Sequence, residues 1–257
     1  MSDLGLAFRQ VKYTNRAFWR NPASAFFTFA FPLMFLVIFT AIFSGTTDTA
    51  FGEISVSNYY IPAIGTFSII TATYTNLAIS ITFLRDAGIL KRIRGTPLPG
   101  WAYMFGRIVH AILLSILLVA IVIAFGVIFY DVTVPFGRLP AFIVTLVVGA
   151  ASFSALGLAV TTIVPNADAA PAVVNATVLP LLFLSGVFIA LPAGNPWFVV
   201  VAKFFPVYHF SHAMLSAYFG EALGVSAWQV QDLLVMAAWG VFGAVVAATR
   251  FRWEAKR

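Results

Sequence analysis

The sequence predicts an all-α membrane protein with six transmembrane helices, an N-terminal interfacial helix, a re-entrant outer hairpin before the last span, and cytoplasmic N and C termini. Three observations lead there. Hydrophobic residues make up 61% of the 257 positions and charged residues 9%, against about 45–50% and about 25% in soluble domains. Apolar runs of the roughly 20 residues needed to cross a bilayer recur along the chain. Thirteen of the fifteen Lys and Arg residues then fall on one side of the resulting topology, the side that the positive-inside rule assigns to the cytosol. The net charge of +6 accordingly reads as orientation and not as a nucleic-acid site, because the basic residues gather in three juxtamembrane clusters and not along one exposed face.

Residues 1–22 carry Arg9, Lys12, Arg16 and Arg20 at helical spacing, with Leu4, Phe8, Val11 and Phe18 as apolar surface beside them. That pattern is an interfacial helix, and it does not resemble a cleavable signal peptide. Asn21 and Pro22 suit an N-cap and first helical position for a span over 23–44. A polar loop with Asp48 and Glu53 leads to a second span, 59–84, rich in hydroxyls and amides: Thr66, Ser68, Thr71, Thr73, Thr75, Asn76, Ser80 and Thr82. Either these groups face other helices or a pathway, or they bond back onto their own helix.

The cytosolic loop 85–107, RDAGILKRIRGTPLPGWAYMFGR, holds five basic residues. Ile89, Leu90 and Ile93 recur at helical spacing against Lys91, Arg92 and Arg94, and Gly95, Pro97 and Pro99 stop the helix. Two readings stand side by side here, a docking helix and a lipid-facing anchor worth on the order of 1 kcal/mol per charge near an anionic surface. The third span, 108–129, has His110 near its cytosolic end. The fourth, 139–164, places Ala150 with Ser154 and Ala151 with Ala155 four apart, spacing that lets helices pack closely.

Pro165, Asn166 and Asp168 form an inner turn before a fifth span, 171–191, with Pro180 inside it. The segment 192–218 is aromatic and broken by Pro192, Pro196 and Pro206. Its apolar part is too short for a crossing and contains Lys203. Were it a seventh span, Arg250, Arg252, Lys256 and Arg257 would lie outside, so a re-entrant hairpin is expected, followed by the last span, 233–249. Cysteines introduced at Asn195 and Ser216 of this Cys-free chain are expected to label from outside, and one at Ser185 is not.

Absences narrow the chemistry. With no Cys there are no disulfides or thiolate metal sites. No carboxylate falls in the middle of a proposed span, where a charge costs at least about 2.5–3.5 kcal/mol, so proton or sodium coupling is disfavoured. There is no Gly-Lys dipeptide and hence no phosphate-binding loop, so ATP hydrolysis is not expected of this chain. His209 and His212 are three apart without an evident carboxylate partner, and no metal site is expected. The remaining readings are the membrane half of an ATP-driven exporter, a secondary or passive transporter, and a membrane-embedded lipid-modifying enzyme.

The segment GILKRIRGTPLPGWAYMFGRI after the second span and LPLLFLSGVFIALPAGNPWFVVVAKFFPVYHF later in the chain resemble type-2 ATP-binding-cassette (ABC) export permeases over nearly the whole length. Gly88, Leu90, Arg94, Pro97 and Leu98 carry the first match, and Pro180, Ser185, Gly186, Pro192, Pro196 and Pro206 the second. The wording of the first segment looks more like the drug and antibiotic exporters than the polysaccharide ones. The resemblance implies a non-catalytic subunit in the inner (plasma) membrane, working as a homodimer or paralogous heterodimer of permeases among membrane lipids. A separate nucleotide-binding ATPase subunit would hold ATP and Mg, and this chain would bind no cofactor. Asp86, Gly88, Ile89, Leu90, Lys91, Arg92, Ile93 and Arg94 would form the coupling segment that docks the ATPase, with Ile89, Leu90 and Ile93 filling its groove. An amphipathic or lipophilic cargo, whether drug, antibiotic, lipid or lipid-linked glycan, would pass along Thr71, Thr75 and Asn76. Ser185, Gly186, Pro192, Pro196, Trp197, Phe205 and Pro206 would form an outer gate.

Overall fold

The computed structural model describes residues 3–43, 54–189, 196–220 and 224–254. Among the described residues all regular structure is helical. Pro192 and Asn195 lie outside them, as do Asp48 and Glu53 of the first outer loop. Five helical stretches are long and apolar enough to cross a bilayer: Pro22–Phe43, Val56–Asp86, Gly100–Tyr130, Phe136–Val160 and Val230–Arg250.

Helix α1 (Asp3–Trp19) precedes α2 (Pro22–Phe43), whose first turn is capped by the Asn21 side chain accepting from the Ser24 N–H. The second span is α3 (Val56–Ile70), a π-turn (Thr71–Thr75) and α4 (Asn76–Asp86), which run on as one rod. Ser55 caps its start, three residues before the expected Tyr59. The short α5 (Ile89–Arg94) follows Gly88, whose φ of 70° is one that Gly adopts readily. Helix α6 (Gly100–Tyr130) begins well before the expected Ile108, because extended Pro99 is its N-cap and nothing after it breaks the helix. Arg107 therefore sits inside α6 and not in a loop.

Helix α7 (Leu139–Val160) stops four residues short of the expected 164, and α8 (Ala170–Leu184) ends well short of 191. At 15 residues, α8 spans about 22 Å, less than a hydrocarbon core of about 30 Å. The remainder is irregular chain at Ser185–Ile189, and it is covered by protein: Ser185, Val187 and Phe188 are buried. The Tyr59 hydroxyl donates to the Gly186 carbonyl at 2.6 Å, and Tyr60 donates to Phe188 at 3.1 Å. Lipid offers no hydrogen bonds, so non-helical backbone at that depth needs such donors.

The aromatic segment forms α9 (Pro196–Phe204) and α10 (Pro206–Phe219), and the chain finishes with α11 (Val230–Arg250). Small residues set the packing. Gly240 of α11 lies against Ser152 of α7, and Gly243 against Ala155 and Leu156, at separations that leave no room for a Cβ. Both contacts advance in the same sense, so α7 and α11 are parallel. With α8 as the one crossing between them, the chain from Ser185 to Gln229 must start and finish on the same side. Helix α10 runs antiparallel to α7, from Phe210 beside Gly149 and Phe153 to Tyr218 beside Phe142. Gly149 is ten residues below Leu139, about 15 Å along the helix. The break at Phe205 and Pro206 therefore reaches the middle of the bundle.

Candidate coupling face and inner cavity

The inner end of the second span is tied to the turn between α7 and α8. Arg85 is 2% exposed, and its guanidinium donates to the carbonyls of Thr161 and Val164, each at 2.9 Å, and of Pro165 at 3.4 Å. These carbonyls belong to the end of α7 and the chain beyond it, where no further turn of helix supplies donors. Arg85 also pairs with Asp86 at 3.4 Å, and the Asp86 carboxylate accepts the Ala167 N–H. Asp86, expected on the docking surface, is thus bound to the turn between α7 and α8.

Helix α5 hangs from this junction with two distinct sides. Ile89, Lys91, Arg92 and Arg94 are exposed, whereas Leu90 is fully buried with Leu77, Ile81, Tyr103, Leu158 and Ala247. Leu90 was expected to fill a partner's groove; it instead anchors α5 to the spans, and Ile93 is half-buried against the same cluster. The outward face is one apolar residue ringed by three cations. Lys91 reaches Glu254 at 3.6 Å, with both side chains largely exposed, an arrangement worth about 0–1 kcal/mol.

The hydroxyls of the second span divide. Thr66, Ser68, Thr73 and Thr82 are buried, and each donates to the carbonyl four residues earlier, so they are satisfied within the helix. Tyr74 shares a 2.7 Å hydrogen bond with Thr177 of α8. The π-turn at Thr71–Thr75 receives Gly157 of α7 against the backbone of Thr73 and Tyr74. Thr71 and Thr75 are half-buried. Asn76 is exposed and lines a cavity of about 640 Å³ between α1, α2, α4 and α6, together with Ser80, Arg107 and His110. Of the three expected path residues, only Asn76 reaches this space.

The expected outer-gate residues also separate. Ser185 and Gly186 belong to the turn held by Tyr59, Trp197 is an exposed residue in the first turn of α9, and Phe205 and Pro206 form the break between α9 and α10. Pro196 opens α9. A second cavity, of about 300 Å³, is lined by Phe205 and Pro206 with Tyr74, Thr177 and Trp239. It brings the hairpin tip and the π-turn region to one place.

Sequence reasoning missed a cluster at the top of α11. Asp232, 7% exposed, accepts from His209 Nδ1 on one carboxylate oxygen and from His212 Nδ1 on the other, both at 2.6 Å. The remaining ring nitrogen of His209 lies 2.8 Å from the Lys203 carbonyl. Both nitrogens of His209 thus face oxygens, one on Asp232 and one on the Lys203 carbonyl. The three groups form a hydrogen-bonded chain. The expected last span began at Leu233; the helix starts three residues earlier and takes Asp232 into its first turn.

A bundle of apolar helices, a short basic helix held at its inner end and a broken aromatic hairpin define a multi-pass membrane protein. Comparison with family models makes this specific: the ABC-2 type transporter family matches residues 8–219, and the chain belongs to that family. Membership makes it the membrane-spanning subunit of an ABC transporter, working with an ATP-binding subunit. Comparison with curated proteins gives no match.

Proposed function

We propose that this chain is the permease of an ATP-driven exporter that carries an amphipathic or lipophilic cargo outward across the inner (plasma) membrane, in the manner of drug and antibiotic exporters. A second permease copy, identical or paralogous, completes the path, and ATP and Mg are held by the ATPase partner. The observation that carries this reading is the junction at Arg85 and Asp86. A helix docked on a moving ATPase can do work on the spans only if it is rigidly joined to them. Here α5 is joined by buried Leu90, by the guanidinium bonds to Thr161 and Val164, and by Asp86 on Ala167. Motion of α5 is thereby delivered to the α7–α8 turn as well as to α4. The cavity bearing Asn76 supports cargo or lipid access from the inner side, and the Phe205–Pro206 tip supports an outer gate.

Co-purification with the ATPase subunit tests the docking. Ile89→Asp with Arg92→Glu, on the exposed side of α5, should abolish capture of the ATPase while leaving the permease in the membrane. Unchanged capture would overturn the docking role of α5. Uphill export by the purified chain without any ATPase would overturn the ATP-driven reading itself.

A further inference from the structure

We infer that the 640 Å³ cavity at the inner ends of α4 and α6 is a binding site for the phosphate headgroup of an anionic phospholipid from the inner leaflet, with Arg107 as its counter-ion. Arg107 is half-buried and hydrogen-bonds the Ser80 hydroxyl across the cavity. Among the described residues no carboxylate lies within ion-pair distance of it. Arg85 is deeper, yet every face of its guanidinium meets a carbonyl or a carboxylate of the chain.

A guanidinium carries five N–H donors in a fixed fork that matches phosphate oxygens. Ser80 uses part of that capacity and neutralises none of the charge. A cation drawn from water without an anion is costly, and proteins rarely keep one in a membrane segment unless something pairs with it. Arg107 is the eighth residue of α6, about 10 Å above its inner end at Gly100. That height is within reach of headgroups, and the helix around it is apolar.

The remaining walls fit the same occupant. Asn76 and Asn21 add amide groups able to reach ester and phosphate oxygens, while Leu77, Leu114 and Phe83 supply an apolar side. Phe83, which lines the cavity, is 48% exposed. Lys12, Arg16 and Arg20 are exposed on and just after α1, a helix that lines the cavity through Thr14, Ala17 and Phe18. They raise the local concentration of anions at an inner leaflet. A cavity of this size is in the range that encloses a drug-sized molecule, larger than a bare phosphate needs, and it suits a headgroup with the start of its chains.

The test uses the full chain purified in a non-ionic detergent, mixed with phosphatidylglycerol, phosphatidylcholine or inorganic phosphate, and read by native mass spectrometry and thermal unfolding. Phosphatidylglycerol should be retained at least tenfold more than phosphatidylcholine and should raise the unfolding temperature. Arg107→Gln should cut that retention about tenfold, Arg107→Lys should keep most of it, and Lys91→Gln, an exposed cation elsewhere, should leave it unchanged. Equal retention by Arg107→Gln overturns the site. Stabilisation by inorganic phosphate equal to that by the lipid overturns the lipid as occupant and leaves a free-anion site. Where Arg107→Gln fails to assemble, Ser80→Phe fills the cavity from the opposite wall, and undiminished lipid retention by that variant overturns the proposal equally.

Discussion

Arg85 and Lys91 carry the same formal charge six residues apart, and their surroundings assign them opposite weights. Arg85 donates to three carbonyls from a side chain that is 1% exposed. Lys91 pairs with Glu254 in open solvent, where screening and side-chain entropy leave about 0–1 kcal/mol. Breaking a buried charged arrangement by removing one partner costs about 3–5 kcal/mol, because the groups left behind have lost water as well as their donor. Arg85→Met should therefore lower the unfolding temperature of the purified chain markedly, with Lys91→Ala within about 0.5 kcal/mol of the parent. An Arg85→Met protein as stable as the parent would mean that water serves those carbonyls. Sequence alone did not separate these two residues. Both belong to one basic island by composition, and only the fold reveals that the α7–α8 turn passes beside the first of them. The same holds for Leu90, since a six-residue helix with apolar residues on two sides does not announce which side is turned inward.

At the scale of elements, what could be read from the sequence followed from chain chemistry, and what could not depended on distant segments. Pro206 after an apolar stretch marked the break between α9 and α10, and the small residues of α7 marked a close-packed face, now seen to receive Gly240 and Gly243. Boundaries shifted where polar groups found partners. Val56–Asp86 and Gly100–Tyr130 extend past the apolar core, while α8 stops early because Tyr59 and Tyr60 serve the chain beyond it. The His209–Asp232–His212 chain was invisible because its members are separated by 20 and 23 positions, with no local spacing to signal a pairing. Its consequence is a tie between the re-entrant hairpin and the last span. Asp232→Ala leaves two imidazoles without their acceptor, so α10 should loosen from α11. A single cysteine at Ser211, 1% exposed in the intact molecule, reports this directly. It should react slowly with a water-soluble maleimide in the parent and at least tenfold faster beside Asp232→Ala. Equal rates would show that packing of Phe210 and Met214 holds α10 without the polar tie.

For the molecule as a whole, the topology rests on two independent lines that agree, of which the basic residues alone also set the orientation. The distribution of basic residues places Thr96, Arg94 and the Arg250–Arg252 end on the cytosolic side. The parallel packing of α7 and α11 requires an even number of reversals between them, which α8 with a returning hairpin provides and α8 with a seventh crossing does not. If 196–219 crossed the membrane, α11 would lie antiparallel to α7, and Gly243 would meet residues before Ser152 and not after it. Labelling from outside tests the topology, but not at Ser216, where access was expected: that residue is 1% exposed within α10. Ser226, exposed in the turn before α11, is the suitable position outside, and Thr96, exposed after α5, the suitable one inside. In intact cells an impermeant thiol reagent should modify Ser226→Cys and spare Thr96→Cys, and opening the membrane should expose both. Modification of Thr96→Cys in intact cells would invert the molecule. Protection of Ser226→Cys until the membrane is opened, with Thr96→Cys also protected, would mean that the hairpin crosses and that the parallel packing of α7 and α11 is not the arrangement in the membrane.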